Sequence, residues 1–262
     1  MRLPSSALPF LLLASWCTAQ STTVAQRFPP PPGTVRATAD EGSFGAFLRQ
    51  LPLKPVGAPV LLHDGSLKAR QDVHAAVIDL SVGDRDLQQC ADAVIRLRAE
   101  YLLANGRQDE IAFDFTNGFR AEWKRWRNGE RVQVKGAQCR WIRTGERDSS
   151  RAQLLRFLET VFMYAGTMSL SRELRDATAF EPAPGDVFIR GGSPGHAMIV
   201  VDVARAPDGR TYLMLAQSYM PAQEMHILRN PAMPSTPWHA LEGDRLRTPE
   251  WTFDWTERKR WP

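Results

Sequence analysis

The chain has 262 residues, 43% hydrophobic and 24% charged, which is enough apolar material for one generous domain with a core. Its 33 Lys and Arg against 29 Asp and Glu leave a formal charge of +4, and the two signs are interspersed. The densest basic group, Arg120, Lys124, Arg125 and Arg127, contains Glu122 and reads as a solvated helix face, so no nucleic-acid partner is expected.

The first residues read as a leader. Arg2 is followed by an apolar stretch from Leu8 to Trp16 and a small-x-small site, Cys17-Thr18-Ala19, before Gln20. That is the pattern of a secretory signal peptide over residues 1–19, with a second candidate cut after Ala25. The chain is therefore expected to be exported, periplasmic or extracellular. A lipid anchor at Cys17 is disfavoured by bulky Trp16 before it. No later segment is long and apolar enough to span a bilayer. Residues 20–42, with Pro29 to Pro32, are expected as an extended tether, and residues 43–262 as one α+β domain.

Within that domain, Ser43 caps a helix from Phe44 to Leu51, and Val60–Leu62 and Val73–Leu80 read as strands. Asp84 or Asp86 caps the next helix, which runs to about Leu103 before Asn105-Gly106. Its stripe of Leu87, Cys90, Ala91, Val94, Leu97 and Tyr101 has helical spacing and puts Cys90 four to six residues past the cap. Ile111–Phe115 alternates as a strand, and Phe119–Trp126 reads as a short helix. Val132–Val134 and Cys139–Ile142 suggest a hairpin, and a long helical region from Ser149 or Ser150 to Leu174 breaks at Gly166.

Three strands follow as a meander, Val187–Ile189, Met198–Val203 and Tyr212–Ala216, with Pro207-Asp208-Gly209 as a turn and Met225–Leu228 as a further strand. The tail, with Trp238, Trp251 and Trp255, is expected as irregular chain anchored by its aromatics. The predicted fold is a central antiparallel sheet packed on the Cys90 helix, with a helical insertion over residues 107–150.

One constellation carries chemistry. Pro184-Gly185-Asp186 makes a turn, Gly191, Gly192, Pro194 and Gly195 form a loop, and His196 opens the second strand of the meander. A thiol hydrolase needs a thiolate, an imidazole to move the proton, and a polar group that fixes the imidazole tautomer. Cys90, His196 and Gln217 are the candidates for these roles, Gln217 because it interrupts the apolar run Leu213–Ala216 beside the His196 strand. A thiol so paired is expected to be partly thiolate near neutral pH. Gln88 and Gln89 are either oxyanion donors or solvated helix positions. Asp186 is read as a turn former.

The stretches Pro184-Gly-Asp-Val-Phe188 and Gly195-His-Ala-Met-Ile-Val-Val201 resemble the histidine segment of the NlpC/P60 and CHAP peptidases, and Ala216-Gln217-Ser218 is similar to their third polar position. That resemblance implies a papain-like core and hydrolysis of amide bonds, with peptidoglycan or cell-wall peptides as partners. The chain departs from those families at the nucleophile, where Gln89 and Ala91 flank Cys90 in place of their usual Asp-Cys-Ser/Gly. Asp84-Arg-Asp-Leu-Gln-Gln-Cys90-Ala-Asp-Ala, Phe115-Thr-Asn-Gly-Phe119, Tyr164-Ala-Gly-Thr167 and Ala216-Gln-Ser-Tyr-Met-Pro-Ala-Gln223 resemble the bacterial family DUF4846 over roughly residues 43–255, a likeness that implies no activity.

Other readings stay open. Cys90 can be a small buried hydrophobe or bridge to Cys139 in an oxidising compartment, and the domain can be a non-catalytic envelope binding module on the same scaffold. Trp123 and Trp126 are read as core in preference to a sugar platform. His63, His74, His226 and His239 lack metal-ligand spacing, and no phosphate loop or dinucleotide fingerprint is present, so neither metal nor cofactor is expected.

Overall fold

The computed structural model describes residues 22–262, and the expected signal peptide at 1–19 lies outside them. The described residues form an α+β fold around a nine-stranded antiparallel sheet. Its central order is His74–Val77, His226–Leu228, Thr211–Gln217, His196–Arg205, Val187–Arg190, Arg258–Arg260 and Arg175–Asp176. Val35–Arg36 pairs with one end of the His196–Arg205 strand, and Trp238–Ala240 pairs with Thr211–Gln217.

Strand His196–Arg205 is buried at every position but Arg205, and mostly apolar, because both faces of the sheet are covered. Ala197, Ile199 and Val201 face the helix side and join the larger core with Val94, Ile95 and Leu97 of helix Cys90–Ala104. Met198 and Val200 point the other way, into a second core with Phe188, Leu213, Leu246 and Phe253. The period of two thus sorts one strand between two cores. Register shifts between Met214 and Leu215, and beside this bulge Asp202 is fully buried.

Several expectations are corrected. The segment taken as a tether is docked. Val24 is fully buried in a short helix, Val24–Arg27, and Arg36 and Arg49 both bind the Asp202 carboxylate at 2.6 Å, which ties the segment to the sheet. The helix around Cys90 starts at Cys90 itself, with Gln89 as its cap residue. Asp86 cannot serve as the cap, because its carboxylate already accepts the Ala222 N–H at 2.6 Å and the Gln89 amide at 3.0 Å. Residues 107–150 are mostly hairpins, Ala112–Asp114 with Arg120–Glu122 and Glu130–Lys135 with Gln138–Arg143, and only Trp123–Trp126 is α-helical. The tail supplies strands, a hairpin of Arg245–Arg247 and Thr252–Asp254 and the strand Arg258–Arg260 inside the sheet.

Other elements agree with the sequence. Ser43 Oγ accepts from the Ala46 N–H to cap Phe44–Arg49, and the long helical region splits at Gly166 into Arg151–Tyr164 and Thr167–Glu173. Trp123 and Trp126 are buried against Phe157, which is core packing. Cys90 and Cys139 are both free thiols.

Candidate functional site

A cavity of about 530 Å³ lies between the first turn of helix Cys90–Ala104, the loop Gly192–Gly195 and the segment Tyr219–Met220. Cys90 and His196 both line it, with Asp86, Gln89, Asp92, Thr167, Tyr219 and Trp251. Starting the helix at Cys90 puts the thiol where the free N–H groups of a first turn are found. The backbone N–H groups of Ala91 and of Ala197, the residue after His196, favour the thiolate form of Cys90. Helix and histidine strand therefore meet at the nucleophile candidate. No hydrogen bond joins Cys90 to the His196 ring among the described residues.

The thiol is not activated by its surroundings. Burial, and then the carboxyl of Asp92 two residues along, push Cys90 up to about 11. This corrects the expected partial thiolate. Burial also lowers His196 to about 4. Thiol and imidazole are thus both neutral at pH 7.

His196 is 2% exposed and is held through Nε2, which donates to Gln217 Oε1 at 2.8 Å. The Gln217 amide is fixed in turn. Its Nε2 donates to Glu250 Oε2 at 2.7 Å and approaches His226 Nε2 at 3.4 Å. The His226 Nδ1 donates to the Glu224 carbonyl at 2.9 Å, so its Nε2 is left as an acceptor. Glu250 also takes Lys68 Nζ at 2.8 Å, with both side chains at most 10% exposed. Turning the amide over would set its oxygen against a carboxylate. The Gln217 oxygen is therefore locked toward His196, Nε2 carries the proton, and Nδ1 is the ring nitrogen left to act as a base. Tyr219 and Trp251 pack on the imidazole with ring centroids 4.9 and 5.1 Å away.

Glycine shapes the loop beside the histidine. A Cβ on Gly195 would stand 2.3 Å from the Gly192 carbonyl oxygen and 2.6 Å from Thr167 Oγ1. Thr167 in turn bonds the Gly192 backbone through both its carbonyl and its N–H, at 3.3 Å each.

The structure thus brings Cys90, His196 and Gln217 to one region. Gln89 lines the cavity, while Gln88 is buried away from it and accepts from Arg96 at 3.0 Å. Asp186 is structural and holds Arg258 at 2.6 Å and Arg260 at 2.5 Å. Sequence reasoning missed Lys68, His226 and Glu250. His226 had a faint signal, a His between Met225 and Ile227-Leu228, but Lys68 lies in a polar stretch and Glu250 sits in the tail with no pattern to mark it. Among the described residues no cluster of His, Cys, Asp and Glu could hold a metal ion.

The class this architecture defines is an α+β domain carrying a cysteine and a glutamine-held histidine on one buried cavity. It is a member of the DUF4846 family, Domain of unknown function (4846), whose profile matches residues 24–260. No curated protein and no solved structure matches the chain. No helix among the described residues is long and apolar enough to cross a membrane.

Proposed function

We propose that this protein is a thiol hydrolase of amide bonds built on an NlpC/P60-like, papain-like core. The observation that carries this reading is the shared cavity, with Cys90 opening a helix at one wall and His196 held through Nε2 by Gln217 at another. Cys90 Sγ attacks the carbonyl carbon while its proton passes to His196 Nδ1, in one event because neither group is charged at rest. The first-turn N–H groups stabilise the oxyanion. The C–N bond then breaks, the imidazolium returns the proton to the amine, and water attacks the thioester with His196 again as base.

Export through the leader at residues 1–19 would place this activity in the cell envelope, with peptidoglycan peptides as the substrate to try first. Purified protein lacking those residues should release new amines from cell-wall peptides, and Cys90→Ser should abolish the release while keeping the fold. Release that survives Cys90→Ser, or no release from any wall-derived or simple amide, ends this reading.

A second reading, a non-catalytic envelope binding domain, is favoured by the protonated thiol and the missing Cys90–His196 hydrogen bond. It predicts that the same fragments bind uncut, equally well to the wild type and to Cys90→Ser.

A further inference from the structure

We propose that the cavity selects its ligand by charge, taking an amide compound that carries a protonated amine close to the bond facing Cys90 and rejecting one that carries a carboxylate there. The charge preference belongs to the cavity; calling the ligand a substrate rests on the hydrolase reading above.

The protein is basic overall, yet no Lys or Arg lines this cavity, whereas Asp86 and Asp92 both do. The nearby cations are already paired. Lys68 is bound to Glu250 at 2.8 Å, Arg190 to Glu257 at 2.5 Å and Arg85 to Glu159 at 3.1 Å. A ligand carboxylate would find no free counter-charge and would meet two acids.

Those acids play different parts. Asp86 is exposed, and the Ala222 N–H and the Gln89 amide hold its carboxyl below the usual carboxylate range, so it stays ionised. It supplies the field at the opening. Asp92 is 6% exposed and sits in the wall. One of its oxygens accepts the Gln89 N–H at 3.1 Å, and the other, Oδ1, is buried with no partner. Burial holds this carboxyl protonated up to about 8, and an ammonium docked against the unfilled oxygen would complete it and draw it into its ionised form.

The test uses two methanethiosulfonate reagents of similar size, the cationic aminoethyl and the anionic sulfonatoethyl forms. Their rates at Cys90 are read by peptide mapping and divided by the rates on N-acetylcysteinamide. The cationic reagent should be favoured on the order of tenfold; Asp86→Asn should reduce that ratio several-fold at about pH 7, and Asp92→Asn should do so at about pH 9, where its carboxyl is ionised. A ratio of one or below overturns the inference, as does a ratio that neither variant changes. Silence of Cys90 toward both reagents overturns it too, because a cavity that admits an amine must admit the aminoethyl probe. The 4-nitroanilides of lysine and glutamate separate the two ideas. Equal cleavage of both sinks the charge preference and leaves the hydrolase reading standing. Cleavage of neither, with charge-biased labelling of Cys90, sinks the hydrolase reading and leaves the preference.

Discussion

His196 Nε2 donates to Gln217 Oε1 at 2.8 Å, and the opposite end of the same amide is bound by the Glu250 carboxylate at 2.7 Å. The tautomer of the imidazole is thus decided by a carboxylate that does not touch it. Imidazole ¹⁵N spectra should show His196 protonated at Nε2 and bare at Nδ1. Lys68→Met combined with Glu250→Leu removes the buried pair without stranding a charge, and should let the amide turn and the tautomers mix. Amide hydrolysis should then fall on the order of tenfold, with Gln217→Ala at least as severe. An unmixed Nε2–H signal in the double variant would show that the pair does not set the orientation.

Thiol reactivity gives a second expectation. Cys139 is half-buried on a hairpin, while Cys90 is buried and pushed up to about 11. Iodoacetamide should modify Cys139 first in the resting protein at pH 7. Asp92 is itself held protonated up to about 8, so Asp92→Asn should change the Cys90 rate little at pH 7 and speed it several-fold above pH 8, where the carboxylate opposes the thiolate. Faster modification of Cys90 than Cys139 in the wild type would mean that Cys90 and His196 already form an ion pair.

Stability should depend on pH in two opposing ways. Burial lowers His196 and His239 to about 4 and His226 to about 3, from an ordinary 6.5. The unfolded chain therefore binds protons first as pH falls, and stability present above pH 6.5 is lost progressively toward pH 4. Asp92 is raised to about 8 from 3.8, so the folded form holds the extra proton, and stability is lost as pH rises from about 4 to 8. Asp92→Asn should add on the order of 2 kcal/mol at pH 8 and little at pH 4. Urea midpoints of the wild type and of Asp92→Asn across pH 4 to 8 separate the two slopes, and an Asp92→Asn midpoint that does not fall on acidification would rule out the neutral buried histidines.

Gly195 has no room for a side chain. Gly195→Ala must move the loop or Thr167, and with it the start of the histidine strand. Hydrolysis should fall on the order of a hundredfold, with a smaller loss of stability. Unchanged kinetics would mean that the loop does not position His196.

Asp186 should behave as a pin. Both its oxygens are used by the fully buried pair with Arg258 and by Arg260. Asp186→Ala should cost about 3–5 kcal/mol by leaving Arg258 without its carboxylate, read as a lower denaturation midpoint. A loss below about 1 kcal/mol would show that the tail strand is held by other contacts.

The sheet and the His196–Gln217 contact were legible because they are local. Apolar runs separated by Gly, Pro and Asp mark strands, and adjacent strands of a meander bring their ends together. The helix start at Cys90 was misread because Asp84 and Asp86 are good cap residues. What decides the cap is the Ala222 N–H, far away in sequence, which occupies Asp86. The docked segment before residue 42 depends on Asp202, a charge hidden in an apolar run whose two arginine partners lie more than 150 positions upstream. The insertion was misjudged at Phe119–Trp126, where aromatic spacing suits a helix but residues 120–122 pair as a strand. Glu250 gave no signal, since it lies 33 positions beyond Gln217 in a tail without periodicity.

The strand Arg258–Arg260 lies between Val187–Arg190 and Arg175–Asp176, both of which precede it by dozens of residues. During synthesis the edge of Val187–Arg190 stays open until residue 260 has left the ribosome. Nascent chains, and any fragment cut before residue 258, expose that hydrogen-bonding edge to other molecules. Chaperone capture or aggregation at this edge is the hazard specific to this topology, and versions of the protein trimmed at the tail will meet it first.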